Sequence, residues 1–269
     1  MPELPEVETI VAQLKQKIIG NKVIKVEVLD SLVEPKIKDL TPFRFIDVRR
    51  RAKYIIMCLD NGKYFLVHLG MTGLFYFVEK AQLEQKKKCY QPHLLATFTF
   101  NDGSILTHNS VRKIGSFRLM EEKELNMALS KLGPEPLDSE FTLGKFKEML
   151  TQKSRAKVKV TLMDQSFIAG IGNIYAQEAL YHAGINPERK IGSLNSTETK
   201  KLYESIILVL KEGIKHKGTS VDEYIHLEGA GENQKYLRVY RKKKCPQGHL
   251  LKKEAMGGRG TSYCPVCQK

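Results

Sequence analysis

Tyr54-Ile55-Ile56-Met57-Cys58-Leu59-Asp60-Asn61-Gly62-Lys63-Tyr64-Phe65-Leu66-Val67-His68-Leu69 decides the fold of the first half of the chain. Two runs of β-branched, aliphatic and aromatic residues flank Asp60-Asn61-Gly62, whose residue types suit the φ > 0 positions of a hairpin turn. Asn101-Asp102-Gly103 joins residues 95–100 to 104–107 in the same way, and residues 23–29, 45–50 and 74–78 read as further strands. Strands joined mostly by short turns predict an antiparallel sandwich or barrel. Ahead of them, Val7, Ile10, Val11, Leu14 and Ile18 recur at helical spacing, and Gly20-Asn21 ends that helix. Residues 79–91 are charged and turn-like and predict a mobile loop. Cys58 reads as a buried thiol, Cys89 as a loop residue.

Beyond Met120 the periodicity changes. Residues 121–140 form a bridge that contains Leu132-Gly133-Pro134-Glu135-Pro136. Helices are expected over 141–150, 155–163, 173–182 and 196–215, broken at Gly170-Ile171-Gly172 and by residues 183–187. The class is α+β: an antiparallel β-sandwich with a flanking N-terminal helix (1–130), a helical domain (131–235) and a small basic tail (236–269).

Composition narrows the function. The 269 residues hold 44 Lys and Arg against 30 Asp and Glu, a net charge of +14, which makes polyanions, nucleic acid first, the natural partners. A hydrophobic share of 42% excludes wholesale disorder. No apolar run is long enough to span a membrane. Residues 1–8 contain Glu3, Glu6, Glu8 and two prolines, unlike a signal or transit peptide, so a cytoplasmic or nucleoid location is expected.

The tail is too small to hold a core unaided. Cys245 and His249 have three residues between them, Cys264 and Cys267 have two, and fourteen separate the pairs. That spacing of S and N donors predicts one closed, structural tetrahedral zinc site. Between the pairs, Gly257-Gly258-Arg259-Gly260 reads as a tight turn that presents one arginine.

The start of the chain has two readings. Removal of Met1 would make Pro2 the N-terminus, a secondary amine able to attack an electrophilic carbon with Glu3 beside it to move protons. Proline and glutamate are also ordinary helix-start residues, and on the residues alone that reading is the stronger.

Met1-Pro2-Glu3-Leu4-Pro5-Glu6-Val7-Glu8-Thr9 resembles the opening of the formamidopyrimidine-DNA glycosylases, repair enzymes for 8-oxoguanine. The likeness continues in order through Arg50-Arg51-Ala52-Lys53-Tyr54, His68-Leu69-Gly70-Met71-Thr72-Gly73, Leu132-Gly133-Pro134-Glu135-Pro136-Leu137, Gly170-Ile171-Gly172-Asn173-Ile174-Tyr175-Ala176 and Gly258-Arg259-Gly260-Thr261-Ser262-Tyr263-Cys264-Pro265. It implies a helix-two-turn-helix-like second domain, a zinc-finger hairpin and a monomer acting on double-stranded DNA with oxidised bases or abasic sites. The implied reaction is base excision followed by AP-lyase β,δ-elimination. An endonuclease VIII-like preference for oxidised pyrimidines and a non-catalytic lesion-binding protein are the alternatives.

Residue by residue, the resemblance makes Pro2 the nucleophile at the sugar C1′, Glu3 an acid/base group, and Lys53 and Arg259 phosphate-contacting residues of the catalytic set. It places His68 and Asn173 on phosphates, and Tyr236 and Glu6 on phosphate and damaged base. Met71 and Arg112 would fill the vacancy left by the flipped nucleotide and read the orphaned cytosine. Val111-Arg112-Lys113-Ile114-Gly115 departs from the family: Ile114 stands where a phenylalanine is expected, and Ser110 where an aspartate is common. The finger departs too, with His249 one residue beyond the expected second cysteine, at Gly248. Residues 217–231 resemble a loop that folds over the damaged base.

Overall fold

The computed structural model describes residues 2–220 and 227–269. The chain forms two compact units: Met1–Ser130 with Lys217–Glu232, and Lys131–His216 with Asn233–Lys269.

In the first unit, α1 (Leu4–Ile18) precedes β1 (Lys22–Val28), β2 (Phe43–Arg51), β3 (Tyr54–Leu59), β4 (Tyr64–His68) and β5 (Gly73–Val78). Then come α2 (Leu83–Tyr90), β6 (Leu94–Phe100), β7 (Ile105–Ser110), β8 (Ser116–Met120) and α3 (Glu122–Leu129). The strands run in the order β5-β7-β6-β1-β2-β3-β4-β8, every pairing antiparallel. The β3–β4 hairpin closes as its residues demand: Leu59 donates to the Lys63 carbonyl at 2.9 Å, and the Asn61 side chain accepts the Lys63 N–H at 3.1 Å.

The sheet folds over on itself. β1 and β2 share only the pairs Lys22↔Arg44 and Val23↔Phe43. Beyond this narrow junction, rings from strands distant in sheet order meet: Phe45 with Phe98 at 6.4 Å, Phe65 with Phe98 at 6.1 Å and Phe98 with Phe117 at 5.7 Å. Phe75 on one edge strand lies 6.5 Å from Phe117 on the other. Each such pair adds about 0.5–1.5 kcal/mol beyond its buried area. The result is the expected sandwich, with the apolar stripe of α1 (Val7, Ile10, Val11, Leu14, Ile18) in the same core. His108 on β7 lies wholly inside it, 4.9 Å from Phe75 and 5.5 Å from Phe117. Its Nδ1 meets the Leu74 carbonyl at 3.3 Å, and burial pulls its pKa down to about 4.

Besides β8, which was not expected, two segments differ from the sequence expectation. Residues 79–91 are not a loop: a 3-10 turn, Lys80–Gln82, leads into α2. No residue of α2 is buried, so its sequence carries no amphipathic signal, but Leu, Glu, Gln and Lys are strong helix formers. The bridge after β8 opens with α3, started by a capping box between Glu121 and Glu124.

The second unit contains α4 (Leu143–Thr151), α5 (Val158–Leu162), α6 (Asn173–Ala183) and α7 (Ser196–Lys215), then the hairpin β9 (Lys252–Met256) and β10 (Arg259–Tyr263). Thr142 caps α4, Asn195 and Glu198 form a capping box at α7, and α6 ends on Gly184 in the left-handed region. Glu178 on α6 receives the N–H groups of Arg238, Val239 and Tyr240 at 2.7–3.0 Å, which anchors the chain leading to the hairpin. No helix among the described residues is long and apolar enough to cross a membrane.

Candidate active site and metal centre

The first unit contains Pro2, Glu3, Glu6, Lys53 and His68, all expected at the reacting centre. Proline does sit at the start of α1, but it is Pro5; Pro2 lies ahead of the Glu3 N-cap. Ordinary helix-start chemistry therefore accounts for Pro5 and leaves Pro2 unexplained. Pro2, Glu3 and Glu6 are all buried. Glu3 and Glu6 cap one another, and the other oxygen of Glu6 accepts the Thr219 N–H at 2.7 Å. Met1 and residues 221–226 of the 217–231 loop lie outside the described residues. The stems of that loop are held on α1, where Gln13 donates to Glu228 and accepts from the Leu227 N–H, both at 3.0 Å.

Lys53 occupies the two-residue turn between β2 and β3, closed by the pair Arg51↔Tyr54. Ala52 before it takes φ 52°, a conformation that side chains other than glycine adopt at a cost. Arg50 fixes this turn to α1: it donates to Glu8 at 2.6 Å and to the Ala52 carbonyl at 3.1 Å. Lys53 is only 6% exposed. Burial, and then the charge of Lys53, hold His68 below the ordinary histidine range. The His68 Nδ1 accepts the Gly70 N–H at 3.2 Å, so its Nε2 carries the proton and serves as a donor.

Met71 and Arg112 meet at the tips of two neighbouring loops, Arg112 Nη1 lying 3.5 Å from Met71 Sδ. Val111, Arg112 and Ile114 are exposed there. Sequence reading noted Ser110 only as a departure from aspartate and missed the pair that lies beneath: Thr72 and Ser110, both buried, whose hydroxyls are 3.1 Å apart. Nothing in their residue types marks them; only the β5–β7 register, Gly73↔Ser110, brings them together.

In the second unit Asn173 is the first residue of α6, where unpaired helix N–H groups favour anions. Its Nδ2 donates to the Gly260 carbonyl at 3.1 Å, while its Oδ1 is buried with no hydrogen-bond partner among the described residues. Gln177, one turn on and also missed, accepts the Ser262 N–H at 2.6 Å. Asn173, Gln177, Tyr240, Arg241, Lys253 and Gly260 line a cavity of about 480 Å³. Arg259 follows the Gly257-Gly258 turn, whose residues take φ 59° and 71°, and it is exposed at the hairpin tip. Tyr236 is 41% exposed and stacks on His216, ring centroids 3.7 Å apart.

The expected metal ligands converge. Donor atoms of Cys245, His249, Cys264 and Cys267 all lie within 4.8 Å of one another. His249 Nδ1 is 3.5 Å from Cys245 Sγ and 3.3 Å from Cys267 Sγ, and the two sulfurs are 3.9 Å apart. Tetrahedral zinc with bonds of about 2.0–2.3 Å needs edges of this size. The Cys267 N–H points at Cys264 Sγ, 3.3 Å away, and Tyr181 on α6 hydrogen-bonds Gln247 in the knuckle. The residue beyond Gly248 thus supplies the fourth donor, and the cluster fits one structural zinc.

Residues 1–117 match the formamidopyrimidine-DNA glycosylase N-terminal domain, and residues 132–224 the formamidopyrimidine-DNA glycosylase H2TH domain. The chain is 39% identical over 287 residues to the formamidopyrimidine-DNA glycosylase of Heliobacterium modesticaldum, with all of both chains covered. It is 36% identical over 279 residues to that of Mycoplasma genitalium, covering all of this chain and 96% of the relative. Among solved structures, Lactococcus lactis Fpg in complex with an abasic site containing DNA superposes with a TM-score of 0.89 at 33% identity, covering 99% of each chain. A mutant of the same protein with a Fapy-dG containing DNA gives 0.89 at 34%, covering 100% of each. With both domains matched in order and the cysteine-histidine hairpin in place, this chain belongs to the formamidopyrimidine-DNA glycosylase family.

Proposed function

We propose that this chain is a monomeric, bifunctional DNA glycosylase and AP lyase that excises oxidised purines, 8-oxoguanine and formamidopyrimidines, from double-stranded DNA. The observation that carries the reading is Pro2, buried beside Glu3 and outside the helix that would otherwise explain it. With Met1 removed, the lone pair of the Pro2 nitrogen attacks C1′ of the flipped nucleotide and the damaged base leaves with the glycosidic electron pair. Glu3 moves the proton that opens the sugar ring, which gives an iminium ion between Pro2 and the ring-opened sugar. Loss of a C2′ proton then expels the 3′ phosphate (β-elimination), and a second elimination expels the 5′ phosphate (δ-elimination).

Lys53 and the protonated Nε2 of His68 hold phosphate oxygens near the lesion. Asn173, Arg259 and Tyr236 grip the backbone from the second unit, and Glu6 contacts the damaged base. Met71 and Arg112 fill the vacancy, with Ile114 as an aliphatic wedge. The finger of Cys245, His249, Cys264 and Cys267 would hold one zinc ion, which orders the hairpin that carries Arg259 and takes no part in bond breaking. The matched relatives are bacterial, and the proposed place of action is the nucleoid.

Borohydride trapping on abasic duplex DNA tests this. The expected result is one covalent adduct per chain at the N-terminal proline. Equal trapping by protein confirmed to retain Met1 contradicts it, because the Pro2 nitrogen is then a tertiary amide without a nucleophilic lone pair.

A further inference from the structure

We infer that the paired hydroxyls of Thr72 and Ser110 are a latch that sets the spacing of Met71 and Arg112, and so decides how strictly the base opposite the lesion is read. This rests on the roles proposed above for Met71 and Arg112. Thr72 is 6% and Ser110 1% exposed, yet both side chains are polar. Their oxygens are 3.1 Å apart. The Thr72 hydroxyl oxygen accepts the Arg112 N–H at 2.8 Å, and the Ser110 oxygen accepts the Lys113 N–H at 3.2 Å. One hydrogen-bonded unit therefore joins the residue after Met71 to the two residues at the turn of the other loop.

The backbones leave no slack around it. A Cβ placed on Gly70 would fall 1.1 Å from the Ile114 carbonyl oxygen, so the two loops touch main chain to main chain. Lys113 takes φ 48° and is tied at 2.6 Å to Asp30. Above this fixed base stand exposed side chains: Val111 at 44%, Ile114 at 54%, and Arg112 against Met71. Buried polar groups that hold a solvent-facing tip serve orientation more than stability. Thr72 and Ser110 touch no reacting atom; they are positioning residues.

The test uses full-length Thr72→Val, Ser110→Ala and Thr72→Ser. Single-turnover excision of 8-oxoguanine is measured opposite cytosine and opposite adenine. Trapping on a single-stranded abasic oligonucleotide, which has no opposite base, is measured in parallel. In Thr72→Val and Ser110→Ala the cytosine-to-adenine preference is expected to shift by roughly five- to tenfold, the size expected for one lost buried hydrogen bond. Trapping on the single strand stays at the unsubstituted level, and Thr72→Ser, which keeps the oxygen, restores the preference. A preference unchanged in both variants, or rates that fall equally opposite both bases, overturns the latch. If Thr72→Val does not fold, Ser110→Ala with Thr72→Ser decides the matter. Absence of trapping by the unsubstituted protein would instead sink the proposed reaction, so the two failures are distinguishable.

Discussion

Glu3 and Glu6 cap each other across the first turn of α1, the Glu3 N–H reaching the Glu6 carboxylate at 2.9 Å with both residues buried. Because the Thr219 N–H binds the other Glu6 oxygen, one side chain fixes both the residue after Pro2 and a stem of the 217–231 loop.

Removing that side chain deletes two buried hydrogen bonds, from the Glu3 and the Thr219 N–H. Glu6→Ala is expected to lower stability by about 2–3 kcal/mol, since a hydrogen bond to a charged group contributes about 1.5–3 kcal/mol and relaxation recovers part. Urea unfolding at pH 7 checks this, and an unchanged midpoint contradicts it. Trapping on abasic DNA should slow in the same variant.

The finger should carry one zinc per chain. Metal binding supplies about 10–16 kcal/mol to peptides of this kind, and His249 is one of four donors. His249→Ala is expected to lose zinc on dialysis and to bind DNA more weakly. Metal analysis of carefully purified protein settles it: a zinc content near zero in the unsubstituted chain sinks the four-ligand assignment.

Arg259 is exposed at the tip of the β9–β10 hairpin. If about six phosphates are gripped, affinity falls about a thousandfold between 50 and 200 mM salt. Arg259→Ala should flatten the log–log slope by about one unit. Binding that ignores salt would show that charge does not hold the DNA.

Ile114 is aliphatic and 54% exposed. An aromatic ring here would return roughly 1–3 kcal/mol of the unstacking energy that an aliphatic side chain cannot. Ile114→Phe is therefore expected to speed single-turnover excision in duplex DNA and leave AP-lyase turnover nearly unchanged. Excision that is unchanged or slower assigns the wedge to Met71 or another loop residue.

His108 makes stability depend on pH. Its pKa falls from 6.5 in the free side chain to about 4 in the folded core, because burial disfavours the charged ring. The unfolded chain takes up the proton first, so stability is full above pH 6.5 and declines as pH drops toward 4. At about 1.4 kcal/mol per unit, the total loss is about 3.5 kcal/mol. His108→Phe should remove most of that slope in unfolding curves taken between pH 7 and pH 4.5. An unaltered slope places the titration elsewhere.

What sequence disclosed followed local chemistry. The hairpin turns, the span of α7 and the metal spacing are all written in residues close together in the chain, and each formed as read. α2 escaped because it buries nothing. β8 escaped because its partner, β4, lies far back in the chain. The pairing of Thr72 with Ser110, and the roles of Gln177 and Glu178, were illegible for the same reason: a hydroxyl, amide or carboxylate becomes specific only when a distant group arrives opposite it.

The pairing of β8 on β4 also sets an order of assembly. β2, β3 and β4 pair as consecutive hairpins, but the outer edge of β4 is covered only by Ser116–Met120, after β5, β6 and β7 have been made. A chain emerging from the ribosome therefore carries Tyr64–His68 as a bare strand edge throughout that interval. Nascent chains stalled before Ser116 should be the aggregation-prone and chaperone-bound species, and release should coincide with delivery of the last strand.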